Sequence, residues 1–130
     1  MKYFLILFII TTLYSCNKTT NKHKIEFSAL FPNNYNAALR WKRFDSIKPF
    51  IEQDDYKKMS KIKKKYKDAS INSYKILLLK KINNDKYKVV IEREEVLMPS
   101  NTLKVNNYIQ YWEYDKKYEV WKVKSEIKDE

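Results

Sequence analysis

SINSYKILLLKKINNDKYKVVIEREEVL, residues 70–97, decides the fold. Upstream of it, apolar residues recur three and four apart. Within it the spacing drops toward two, the side-chain period of a strand. SINSYKILLLKKI (70–82) reads as one strand and KYKVVIEREEVL (86–97) as its partner, with Asn83-Asn84-Asp85 turning the chain between them. The chain contains no glycine. Turns that need positive φ are therefore expected to fall on Asn or Asp, whose short side chains tolerate the left-handed region.

Downstream, Pro99-Ser100-Asn101 marks the next turn, followed by TLKVNNYIQYWEY (102–114) with Leu103, Val105, Ile109 and Tyr111 assigned to one face. Asp115-Lys116-Lys117 then leads into YEVWKVKS (118–125), where Trp121 and Val123 alternate with charges. Upstream, YNAALRWKRFDSIKPFI (35–51) has helical spacing, a start near Tyr35 capped by Asn33 or Asn34, and a stop at Pro49. A second helix is expected from Asp54 or Asp55, with Tyr56, Met59, Ile62 and Tyr66 as its apolar stripe. Lys57, Lys58, Lys61, Lys64 and Lys65 form the other face, read as solvated, with docking on anionic envelope material as the alternative. Two helices followed by four hairpin-linked strands predict an α+β domain. Its N-terminal helices pack on one face of a curved four-stranded antiparallel meander.

The front of the chain has a different character. MKYFLILFIITTLYSC (1–16) has a basic Lys2, an apolar run too short to span a bilayer, and the only cysteine of the chain at its end. Leu13-Tyr14-Ser15-Cys16 resembles the lipobox of bacterial lipoproteins, with Tyr14 a departure from the usual smaller residue. That resemblance implies cleavage before Cys16, a diacylglyceryl group on its sulfur and an acyl chain such as palmitate on the new amine. Two or three chains anchor a protein stably, at about 0.8 kcal/mol per buried methylene. The polar run after Cys16 reads as a tether. The expected organisation is a signal peptide over 1–15, a lipidated cysteine and tether over 16–30, and one domain over 31–130.

A second resemblance covers the body. AALRWKRFDSIKPFI (37–51) and YIQYWEYDKKYEVWKVKS (108–125) resemble small bacterial envelope lipoproteins with a nuclear transport factor 2-like (NTF2-like, cystatin-like) cone. The match rests on Leu39-Arg40-Trp41 and on a closing pair of strands carrying Trp112 and Trp121, and Lys42-Arg43 depart from the family pattern. The resemblance implies a curved sheet and helices enclosing a pocket, used for binding in some relatives and catalysis in others.

The net charge is +11, from 27 basic and 16 acidic residues. A polyanion is the expected partner class. Placement outside the cytoplasm, at the cell envelope and on the outer membrane where one exists, turns that expectation from nucleic acid toward envelope protein, glycan or anionic lipid. His23, the single histidine, falls in the tether, so the domain has no His-based dyad. No metal-ligand cluster or phosphate loop is present in the sequence, and no cofactor is expected. The favoured reading is a non-enzymatic binding module. Arg40, Trp41 and Tyr111 are its candidate ligand contacts, although core packing is the favoured explanation of Trp41 and surface pairing with Asp45 or Glu52 that of Arg40. The alternative is a pocket enzyme of isomerase or dehydratase type. It would use a tyrosine with a carboxylate from Glu92, Glu94 or Glu95, near Tyr87, Tyr108 or Tyr111.

Overall fold

The computed structural model describes residues 24–51 and 55–130. Three helices, α1 (Leu30–Arg40), α2 (Phe44–Ile47) and α3 (Tyr56–Lys65), precede four strands. The strands are β1 (Ala69–Asn83), β2 (Lys86–Leu97), β3 (Thr102–Asp115) and β4 (Val120–Asp129). Each pairs antiparallel with the next in the order β1-β2-β3-β4, so the domain is α+β with an open meander sheet. The helices lie mid-chain rather than at the N-terminal end of the folded unit. Ahead of them Phe27, which the sequence places in the tether, is a buried core residue.

Local sequence accounts for most boundaries, and where it does not a specific contact explains the difference. α1 starts at Leu30 and not near Tyr35, with no side-chain cap from Asn33 or Asn34. Pro32 falls in its first turn, where the missing N–H has no partner to lose. The helix ends at Arg40 rather than running to Pro49: Lys42 takes a left-handed conformation (φ 53°). There the Arg43 N–H donates to the Ala38 carbonyl at 2.8 Å and the Lys42 N–H to that of Leu39 at 3.1 Å. These two bonds form a Schellman cap. They outweigh the roughly 1–2 kcal/mol that a Cβ costs in that region. Among the described residues Glu119 (φ 55°) and Asn101 (φ 54°) are the other positive-φ residues, so there the expectation that Asn or Asp would fill such positions holds only at Asn101.

β3 presents the opposite face from the one its apolar residues suggest. Its register sets Ile91 against Tyr108, Val89 against Gln110 and Tyr87 against Trp112. Tyr108, Gln110 and Trp112 are buried, while Leu103 and Val105 are exposed. Tyr111, one residue out of phase, lies on the sheet face away from the helices. The register follows β2, whose inward series Val89, Ile91, Arg93 and Glu95 is fully buried.

One end of the domain is filled by aromatics. Trp112 packs edge-on to Tyr35 and Phe50, with centroids 5.8 and 5.9 Å away. Phe27 stacks on Tyr87 at 4.5 Å and meets the Trp121 ring at 5.1 Å. The Trp121 indole N–H donates to the Ile25 carbonyl at 2.8 Å, which straps the start of the described chain across β4.

Candidate functional site

The other end is open. Between α3 and the inward face of the sheet lies a cavity of about 490 Å³. Its walls include Ile62, Ala69, Leu97 and Val123, and its depth holds Glu95, Tyr108 and Glu126. Five lysines line it: Lys58, Lys61 and Lys65 from α3, Lys104 from β3 and Lys128 from β4.

The polar groups at its depth belong to one network built around Arg93, which is completely buried. Its guanidinium makes a two-pronged ion pair with Glu126, Nη1 to Oε1 at 2.7 Å and Nη2 to Oε2 at 2.8 Å. Its remaining donors reach the Asn36 side-chain oxygen at 3.0 and 2.6 Å and the Tyr66 hydroxyl at 3.1 Å. Gln110 donates to Glu126 Oε2 at 2.7 Å and accepts from the Trp112 indole at 3.0 Å. Asn36 in turn donates to the Pro32 carbonyl one turn back in α1 at 2.7 Å, while its oxygen, bonded by Arg93, ties α1 to β2 and through Glu126 to β4. No buried side-chain nitrogen or oxygen among the described residues lacks a partner. A network satisfied in this way rigidifies a core rather than penalising it.

Its electrostatics follow from burial and the central ion pair. Burial alone would raise the Glu126 carboxyl, but the Arg93 guanidinium and its hydrogen bonds hold it below the ordinary value. Burial works against the Arg93 charge, and Glu126 beside it more than restores it. Tyr35 and Tyr66 are pushed upward, first by burial, and stay neutral. Beside this network, the Tyr108 hydroxyl donates to Glu95 and accepts from the Lys65 ammonium at 2.9 Å. Burial and then the Glu95 bond raise the phenol of Tyr108. Burial lowers Lys65, against the pull of Glu126 and Glu95.

None of the three candidate contacts from the sequence enters this cavity. Trp41 is 63% exposed, so it is neither core nor pocket lining. Arg40 lies over the Trp41 ring at 5.0 Å on the outer surface, because α1 ends there and turns both side chains outward. Asp45 pairs with Lys48 at 3.0 Å, and Glu52 lies outside the described residues. Tyr111 is removed to the far face by the β3 register. Cys16 and the leader 1–15 also lie outside the described residues.

The lysine face of α3 is not uniformly solvated either. Lys58 donates to the carbonyls of Val123 and Lys124 at 2.8 and 2.9 Å, and Lys65 turns in toward Tyr108. Tyr56, assigned to the apolar stripe, is exposed, while Tyr66 at the helix end is buried.

Sequence reasoning missed Arg93, Glu126, Asn36 and Lys65 as members of one site. The signal for Arg93 was present: counting by twos from Val89 puts Arg93 and Glu95 on the core face of β2. Glu126 lies beyond residue 125, where the fourth strand was expected to stop, whereas β4 runs to Asp129. Among the described residues no cluster of three or more His, Cys, Asp or Glu is arranged to hold a metal ion. No helix of the described residues is long and apolar enough to cross a membrane. Compared with known proteins, the chain matches no family model, no curated protein and no solved structure.

Proposed function

We propose that this chain is a membrane-anchored bacterial lipoprotein of the cell envelope. In this reading its domain, an NTF2-like cone, is a non-enzymatic binding module that takes its ligand in the cavity under α3. The anchor is Cys16, and the reading rests there on Leu13-Tyr14-Ser15-Cys16 and the apolar leader before it. Partners are an envelope protein, glycan or anionic lipid, and not nucleic acid, because the chain works outside the cytoplasm. The observation that carries binding over catalysis is the state of Glu126. Both its oxygens are taken by Arg93, and its carboxyl is driven down rather than up, the wrong direction for a general acid at neutral pH.

The Tyr108–Glu95 hydrogen bond inside the cavity favours a second reading, a pocket isomerase or dehydratase built on that pair. Two measurements decide between these readings and test the anchor. Intact mass of the native protein from bacterial membranes should show a chain beginning at an acylated Cys16, and Cys16→Ser should abolish detergent-dependent extraction. An unmodified residue 16 refutes the anchor. Ligand recovered chemically unchanged after incubation with the protein supports binding, whereas conversion that disappears in Glu95→Gln supports the enzyme.

A further inference from the structure

Three of the lysines at the cavity mouth arrive from separate elements: Lys61 from α3, Lys104 from β3 and Lys128 from β4. A solvated helix face explains Lys61 and leaves the two strand residues unexplained. Among the described residues, no hydrogen bond or ion pair engages the ammonium groups of these three. Some lysines elsewhere meet carboxylates: Lys48 meets Asp45 at 3.0 Å, Lys122 meets Asp115 at 3.0 Å and Lys86 meets Glu113 at 3.6 Å. The fold thus gathers like charges from three elements at one half-enclosed opening, where they repel. Lys128 and the buried Arg93 both act against the charge on Lys65 just inside, so the effect reaches into the cavity.

The interior has the opposite character. Ile62, Ala69, Leu97 and Val123 give it apolar walls, and the carboxylates of Glu95 and Glu126 stand at its depth. Arg93 balances Glu126, so Glu95 is the carboxylate that disfavours a second anion at the floor, whereas the mouth attracts one. An occupant is therefore oriented with its charged head outward and its apolar body inward. The volume suits a small organic molecule.

We infer that the cavity under α3 binds an amphiphilic organic anion, its phosphate or carboxylate head held by Lys61, Lys104 and Lys128 and its apolar body lying along Ile62, Leu97 and Val123. This rests on the binding-module reading and supplies its ligand class. A phospholipid head with part of its acyl chains and a soluble organic phosphate share that chemistry.

The test is equilibrium dialysis of the full chain in dodecyl maltoside micelles against ³²P-labelled hexyl phosphate, with empty micelles as the blank. Saturable one-site binding is expected, weakened at least tenfold in Lys61→Gln/Lys104→Gln/Lys128→Gln. Binding should persist in Lys42→Gln/Arg43→Gln/Lys63→Gln, which removes the same charge from a separate basic surface. Equal loss in both variants, or no saturable binding, overturns the site. Inorganic phosphate competing as well as hexyl phosphate overturns the apolar half of the inference. Hexyl glucoside competing equally overturns the anionic half and leaves the binding module standing. Dihexanoyl phosphatidate outcompeting hexyl phosphate supports the site with a lipid source, and the reverse supports it with a soluble one. Failure of the anchor is read separately, from the mass at Cys16.

Discussion

Arg93 is the residue on which the interior depends. A buried guanidinium is tolerable only when its donors are matched, and here Glu126, Asn36 and Tyr66 match them. The pairing has a pH signature. Glu126 has its folded-state pKa below its ordinary value of 4.5, so the unfolded chain takes up the proton first. The stability from this pair is complete at neutral pH and drains away as the pH falls from about 4.5 through the lower folded-state value. Urea denaturation of the wild type should therefore show stability falling progressively as the pH drops below about 5. Glu126→Gln should be less stable at pH 7, with a shallower acid limb. Parallel acid limbs in the two proteins would mean that the ion pair contributes nothing net.

At the scale of elements, α3 is held by few attachments. It is ten residues long, too short to persist alone in water, and no residue within it is buried. It stays in place through partly buried Met59 and Ile62, the Lys58 bonds to β4 carbonyls, and the Asp55 side chain accepting from the Lys58 N–H at 3.0 Å. Loss of a cap of this kind costs about 1 kcal/mol. Asp55→Ala should therefore speed hydrogen exchange of the α3 amides about fivefold while the sheet amides stay unchanged. Acceleration spread evenly over the domain would show that α3 unfolds only with the whole. The helix also roofs the cavity, so the same variant should weaken hexyl phosphate binding.

For the whole molecule, the segment before α1 closes the end opposite the cavity. Phe27 sits among Tyr87, Trp112 and Trp121, and the Trp121–Ile25 hydrogen bond joins positions at the two ends of the described chain. Truncating a buried phenylalanine costs about 3–5 kcal/mol, a large part of the stability of a domain this size. Phe27→Ala should lower the unfolding free energy by that amount, read as a lower denaturation midpoint with little change in the slope. A loss under about 1 kcal/mol would place Phe27 outside the cooperative core. The domain thus divides into a sealed aromatic end and an open end whose cavity is rimmed by lysines.

Period and turn chemistry in the sequence were enough to specify the α+β class, the four strands and the places where they reverse, because these depend on neighbours a few residues apart. The approximate start of α3 was legible for the same reason, since Asp55 caps a helix through a residue three positions on. Which face of β3 points inward was not, because apolar Leu103 and Val105 outvoted Tyr108 and Gln110 until pairing with β2 fixed the phase. Nor was the site. Arg93, Asn36 and Glu126 lie on three elements and Tyr66 caps a fourth, α3, and a buried charge becomes favourable only once all its partners are in place. Local pattern decides what each segment forms, and only tertiary pairing decides which polar residues the interior can accept.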